Sequence, residues 1–159
     1  MPSEIERKFL IHPERINLPA NGTEIKQGYL PLSESSKTTM RVRVKAGEGT
    51  IAVKGENRGA VRAEYEYAIP LDHALEMLES LCQKPLVEKT RYELTIGAHL
   101  WEVDVFHGDN AGLILAEVEL TDENEIFERP DWLAQDVTDD ARYYNSNLLQ
   151  NPFKRWGKT

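Results

Sequence analysis

The sequence predicts an antiparallel β-sheet of eight strands, curled or closed into a barrel, with a few covering helices: an α+β fold that is mostly β. Three observations predict it. Short runs of alternating apolar and charged residues recur from Ser3 to Leu120, interrupted by one helical pattern. Glycine, proline and Asn-Gly breaks separate these runs at hairpin-like distances. The 159 residues, 40% of them hydrophobic, suit a single domain over 1–159, with no repeat, linker or low-complexity segment to mark a second.

The first run, Ser3–Ile11, stops at His12-Pro13. The second covers 23–30, after Asn21-Gly22 and before Pro31. A serine-rich loop at 33–37 leads to a third at 38–45, and Gly47-Glu48-Gly49 connects it tightly to a fourth at 50–56, so these two are expected to form a hairpin. The fifth spans 62–69 and is halted by Pro70. Asp72 is the expected N-cap of the first helix, where Ala74, Leu75, Met77, Leu78, Leu81 and Cys82 recur at helical spacing. Cys82 belongs to that apolar stripe, which assigns it to packing rather than nucleophilic work. Three more strands follow at 86–96, 100–106 and 113–120, broken by Gly97-Ala98 and Gly108-Asp109-Asn110. The remainder, 121–159, is mixed, with Pro130 and a last helix expected over 139–149.

Net charge is −8, from 27 acidic and 19 basic residues, which argues against nucleic acid or an anionic membrane as partner. One cysteine cannot form an internal disulfide, and no apolar run approaches the ~20 residues of a membrane span. Glu4 and Glu6 interrupt any signal-peptide pattern, so a cytoplasmic protein is expected.

Strand side chains alternate between faces, which sorts the charges. Glu4, Glu6 and Lys8 share one face of the first strand, and Ile5, Arg7 and Phe9 the other. Arg41, Arg43 and Lys45 oppose Met40, Val42 and Val44; Lys54 opposes Ile51 and Val53; Glu64 and Glu66 oppose Tyr65, Tyr67 and Ile69. Lys89, Arg91 and Glu93 oppose Tyr92 and Leu94, Glu102 and Asp104 oppose Trp101, Val103 and Val105, and Glu117 and Glu119 oppose Val118 and Leu120. Every long strand except the second thus has a strongly charged face. Two arrangements satisfy this pattern. In one, the apolar faces form the core and the charged faces meet water. In the other the barrel is inside out, with charge lining a tunnel and apolar faces turned to helices and loops. Two details favour the second: few neutral polar residues dilute the charged faces, and helices with apolar stripes are available to cover a hydrophobic exterior.

Taken in order, Glu4-Ile5-Glu6-Arg7-Lys8, Arg41-Val42-Arg43, Lys54, Glu64-Tyr65-Glu66, Lys89-Thr90-Arg91 and Glu117-Val118-Glu119 resemble the CYTH superfamily, the triphosphate tunnel metalloenzymes, over essentially the whole chain. The resemblance implies a closed eight-stranded antiparallel tunnel lined with charge. It also implies chemistry at a triphosphate: hydrolysis of inorganic tripolyphosphate, thiamine triphosphate or RNA 5′-triphosphate, or cyclisation of ATP. Desolvating a triphosphate requires opposing cations. Lys8, Arg41, Arg43, Lys54, Lys89 and Arg91 are the expected catalytic and substrate-binding bases, with Lys45 and Arg62 on the same faces at a tunnel mouth. Arg41 and Arg43, about 7 Å apart on one strand face, offer bidentate donors to adjacent phosphoryl groups. The resemblance implies Glu4, Glu6, Glu117 and Glu119 as ligands of Mg²⁺ or Mn²⁺, with Glu64, Glu66, Glu102 and Asp104 as further candidates. On the expected inner faces nine acids stand against eight bases, so substrate is expected to enter with its metal.

His12, His73, His99 and His107 fall at turns or a helix start and are expected at the surface. Gly55-Glu56-Asn57-Arg58-Gly59 lacks the Gly-Lys-Ser/Thr ending of a phosphate loop. Residues 140–149 resemble the helix that closes one end of the family's tunnel, which gives Tyr143, Tyr144 and Leu148 packing roles and makes Arg142 a lesser candidate for substrate contact. Lys154-Arg155-Trp156 is too small for a nucleic-acid patch. Among the implied reactions, hydrolysis of tripolyphosphate to pyrophosphate and phosphate is favoured, because no aromatic-rich insertion is present to hold an organic head group. An adenylate cyclase would make cyclic AMP from ATP. A thiamine triphosphatase would stack an aromatic residue on the head group, for which Tyr29 and Trp101 are available. A non-catalytic polyphosphate-binding module would not need so many acids. The expected partner is a small-molecule triphosphate, and the expected state a monomer or homodimer.

Overall fold

Among the described residues, nine strands arise where alternation and turn chemistry agree: β1 Ser3–Ile11, β2 Thr23–Tyr29, β3 Thr39–Lys45, β4 Glu48–Lys54, β5 Val61–Ile69, β6 Val87–Ile96, β7 His99–Phe106, β8 Ile114–Glu119 and β9 Leu133–Asp136. The structure, a computed structural model, describes residues 2–149 and 151–156. The first eight strands follow the order β5-β4-β3-β2-β6-β7-β8-β1, all antiparallel, and β1 returns to β5 through Ser3↔Ala63, Glu4↔Arg62 and Ile5↔Val61. The ring is therefore closed, as expected. β9 adds to β1 at Phe9 and Ile11 and was not foreseen, since Leu133-Ala134-Gln135-Asp136 has no clear alternation.

The register puts charge opposite charge on the inner face: Glu4 faces Arg62, Lys54 faces Glu64, Arg91 faces Asp104 and Lys8 faces Glu117. The inside-out arrangement is the one observed. Outside the ring, Phe9, Trp101, Val103, Val118 and Trp132 form an aromatic-rich cluster beneath the segments that carry Ile16, Leu18 and Phe127. A second outer cluster packs Val42 against Ala74, Leu78 and Cys82, bringing helix α1, Leu71–Ser80, onto β3 and β4. Val87, Phe106 and Leu115 continue the inner faces of β6, β7 and β8, and they meet Tyr143 and Leu148. The interior therefore changes from charged to apolar towards one end, where the C-terminal segment closes it. Cys82 is buried, in agreement with a packing role. None of the described helices is long and apolar enough to cross a membrane.

Four local expectations are corrected. The β3–β4 turn is Ala46-Gly47, not Gly47-Glu48-Gly49: Lys45 pairs with Glu48, and the two turn residues have φ of 52° and 76°. Positive φ at both central residues is the hairpin geometry that matches strand twist. Gly49 lies inside β4, where a Cβ would stand 2.7 Å from the Cβ of Ala74, so it serves the close approach of α1. Ala46 has no such freedom, and left-handed backbone at a residue with a Cβ costs about 1 kcal/mol. Ala46→Gly is expected to raise the thermal midpoint by about 2–4 °C, which a melting curve measures.

The N-cap of α1 is Pro70, without a side-chain cap bond, and Asp72 sits in the first turn, where its charge suits the helix dipole. The apolar stripe is narrower than its spacing suggested: Leu75 and Leu81 are 48% and 57% exposed. The last helix is broken into a 3₁₀ turn at Ala141–Tyr143 and a short α2 at Asn145–Leu148. Asp140 accepts from the backbone N–H of Arg142 and starts the turn, and Tyr144 is extended with ψ of 130°, which stops it.

Candidate functional site

The inner faces enclose a cavity of about 170 Å³. A water molecule needs only ~10–15 Å³ on the same scale, so a small polyanion has room. Of the eight bases and eight carboxylates expected on the tunnel strands to bind phosphate or metal, fourteen line it: Glu4, Glu6, Lys8, Arg41, Arg43, Lys54, Arg62, Glu64, Glu66, Lys89, Arg91, Glu102, Glu117 and Glu119. These are seven acids and seven bases. Lys45 and Asp104 are not among the lining residues, and neither is Glu93, which is exposed near the end of β6. Lys45 lies half-buried at the end of β3, and its charge reaches Glu102.

Asp104 is placed differently from the expectation. It is fully buried, accepting from Lys89 Nζ at 2.7 Å and from Arg91 Nε and Nη2 at 2.7 and 2.9 Å. Burial alone would push its carboxyl up, but Lys89 and Arg91 hold it well below the usual carboxylate range. Both oxygens are committed to cations, so Asp104 is the counter-ion behind the wall of the cavity. Burial, opposed by Asp104 and assisted by Arg91 and Arg43, pushes Lys89 down to about 7.

The lining divides into two sectors. Arg41 and Arg43 on β3 and Lys89 and Arg91 on β6 flank β2 and form the cationic sector. Glu4 and Glu6 on β1, Glu117 and Glu119 on β8 and Glu64 on β5 form the acidic sector. Between them stand Lys8, 3.5 Å from Glu117, and Lys54, 3.0 and 2.9 Å from Glu4 and Glu64. Arg62 also reaches Glu4, at 2.8 Å, and Arg41 reaches Glu66 at 2.9 Å. Against the effect of burial, Lys54 and Arg62 bring Glu4 down to about 2.

Glu6 is the opposite case. Burial, then the charges of Glu117 and Glu4, raise it to about 8. It faces Glu119 directly across the β1–β8 pair, and Glu102 faces Glu117 across β7–β8. Like charges directly opposed in a sheet are destabilising, and a bound cation would relieve them. This all-oxygen donor set suits a hard divalent ion. Among the described residues no three His, Cys, Asp or Glu side chains are yet gathered closely enough to hold a metal.

Sequence reasoning missed the neutral lining: Gln27, Thr39, Asn57, Thr138, Asn145 and Ser146. Tyr29 and Tyr144 also line the cavity, so Tyr144 is not merely packed. Asn145 Oδ1 accepts from Lys89 Nζ at 3.0 Å, and Lys8 Nζ donates to the carbonyl of Tyr143 at 3.3 Å. Arg142 points elsewhere: it is exposed, paired with Asp140 and stacked over Tyr143 and Trp156. Among the described residues no histidine lines the cavity. His99 bonds Glu125 on the outside, and His107 bonds Thr90.

A closed antiparallel barrel with an apolar exterior and a lumen of matched cations and carboxylates defines a β-tunnel class of protein. Within that class, the chain belongs to the CYTH domain family, which matches residues 2–147. It is 46% identical over 156 residues to an inorganic triphosphatase of Acetivibrio thermocellus, covering 98% of this chain and 99% of that one. It is 36% identical over 151 residues to an inorganic triphosphatase of Nitrosomonas europaea, covering 92% and 96%. A solved structure of an inorganic triphosphatase superposes with a TM-score of 0.64 at 34% identity, over 94% of this chain and 95% of that one.

Proposed function

We propose that this chain hydrolyses inorganic tripolyphosphate to pyrophosphate and phosphate in its lumen, with the aid of Mg²⁺ or Mn²⁺. The observation that carries this reading is the cationic sector facing an acidic sector across one small cavity. The two relatives named inorganic triphosphatases, aligned over nearly their full length, support it.

In this reading Arg41, Arg43, Lys89 and Arg91 bind phosphoryl oxygens, guanidinium groups as bidentate donors and Lys89 as a point charge. Glu4, Glu6, Glu117 and Glu119 would hold the divalent cation, which when bound draws charge from phosphate oxygens. Water adds to the terminal phosphorus, the bridge to the next phosphorus breaks, pyrophosphate leaves with the bridging oxygen, and the proton given up by the water passes to solvent or to the departing pyrophosphate. The charge that gathers on that oxygen is met by cations already fixed in place, so little reorganisation is needed at the moment of reaction. Lys8 and Lys54 are held for this by Glu117 and by Glu4 and Glu64.

Among the described residues the aromatic lining is Tyr29 and Tyr144, and Trp101 lies outside the ring under Phe9 and Trp132. An organic head group finds no aromatic sandwich, whereas phosphates find donors on several strands. The proposal includes a small-molecule triphosphate as partner rather than nucleic acid or membrane, a cytoplasmic site of action, and a monomer or homodimer. Phosphate release from tripolyphosphate, pyrophosphate, ATP and thiamine triphosphate with Mg²⁺ tests the substrate. Tripolyphosphate is expected to be turned over fastest; cyclic AMP formed from ATP, or a preference for thiamine triphosphate, would overturn the reading.

A further inference from the structure

Six of the seven cations lining the cavity have a carboxylate oxygen within 4.0 Å: Lys8, Arg41, Lys54, Arg62, Lys89 and Arg91. Among the described residues the exception is Arg43. Its Nε donates instead to Oε1 of Gln27 at 2.8 Å. Burial, with Arg41 and Arg91 nearby, pushes its pKa down to about 10, so it stays charged at neutral pH without a counter-ion. Arg43 is half-buried, and a cation drawn that far out of water without a partner is unfavourable, so folds usually supply an acid. Here β2 places a neutral amide directly across from Arg43 in the strand pair.

Gln27 is fully buried, and each end of its amide is engaged. Its Nε2 donates to the Tyr29 hydroxyl and to Asn145 Oδ1, both at 3.1 Å. Those two oxygens turn the amide nitrogen towards themselves and leave Oε1 facing Arg43. Asn145 Oδ1 accepts from Lys89 as well, so a chain of neutral amides ties Arg43 on β3 to Lys89 on β6. A carboxylate at position 27 would grip Arg43 more tightly and cancel the charge that a phosphate needs. An amide fixes Nε and leaves that charge uncancelled.

We propose that Gln27 is a positioning residue, aiming the guanidinium of Arg43 at a phosphoryl group of the substrate while leaving its charge for that group. The inference rests on the lumen being the triphosphate site. Its test compares wild type, Gln27→Glu, Arg43→Ala and the double variant for tripolyphosphate turnover with Mg²⁺, tripolyphosphate affinity by calorimetry, and thermal midpoint. Gln27→Glu is isosteric and is expected to raise KM and Kd on the order of tenfold or more, as a charge-assisted bond to phosphate is lost. The midpoint serves as the control for folding, because the variant gains an ion pair with Arg43 and loses the donor bonds to Tyr29 and Asn145. In the Arg43→Ala background the same change should alter affinity by no more than about twofold. A Gln27→Glu affinity within about twofold of wild type, or an equal loss without Arg43, would overturn the inference. If Gln27→Glu fails to fold, Gln27→Met removes the bond without adding charge; raised KM supports the positioning role and unchanged KM overturns it. Wild type that neither binds nor cleaves tripolyphosphate would overturn the reading of the lumen itself.

Discussion

Replacing Arg41 by alanine is expected to lower kcat/KM for tripolyphosphate by roughly 10²–10³-fold, the scale seen when one preorganised donor to developing charge is removed. The thermal midpoint should move by no more than about 3 °C, equivalent to roughly 1 kcal/mol in a chain of this size. The asymmetry follows from what Arg41 touches. Its side chain is buried in the lining, yet its carboxylate contact is Glu66, which is 45% exposed and readily hydrated once alone. Arg41 Nε is buried without a partner, so the folded state loses little when the guanidinium goes. In the proposed reaction, a cation is lost from the sector assigned to the phosphates. Steady-state kinetics and a melting curve on the same preparation decide the matter. Activity near that of wild type would remove Arg41 from the site, and an equal collapse of fold and activity would make it structural.

Asp104→Ala is expected to do the reverse. Asp104 neutralises Lys89 and Arg91 in the interior, with three contacts of 2.9 Å or less. Removing one member of a buried ionic cluster leaves uncompensated charge and typically costs about 3–5 kcal/mol. At the sensitivity of a chain this long, the midpoint should fall by about 6–20 °C. Asp104→Asn keeps an acceptor and should fall less. Denaturant or thermal unfolding measures both. A midpoint unchanged in Asp104→Ala would contradict the buried counter-ion role and return Asp104 to the metal-ligand candidates.

The eight strands and their inward faces were legible because charge marks one face of nearly every strand, and a period of two needs only a few residues to declare itself. Glu4-Ile5-Glu6-Arg7-Lys8 is the clearest instance. Depth along a strand was not legible. Glu102 and Asp104 share a face and look equivalent in sequence, yet pairing places Asp104 opposite Arg91 and behind the cavity wall, while Glu102 lines it. Lys45 likewise continues the phase of Arg41 and Arg43 but lies beyond the lining. Gln27 escaped because a neutral face carries no charge pattern, although β2 is central to the cationic sector. The Ala46-Gly47 turn was obscured by Gly49, whose reason is the approach of Ala74 from α1, a tertiary contact. The break at Tyr144 depends on Asp140 capping a 3₁₀ turn, which competes with helical spacing that the residues otherwise satisfy.

Metal-assisted cleavage of a bare triphosphate in the lumen is open to one direct assay. Purified protein is incubated with tripolyphosphate and Mg²⁺ or Mn²⁺, with and without chelator, and both products are quantified. One phosphate and one pyrophosphate are expected per tripolyphosphate consumed, with turnover abolished by chelator and restored by excess metal. Undiminished turnover in chelator would contradict the metal's role, and no cleavage with either metal would contradict tripolyphosphate hydrolysis in the lumen.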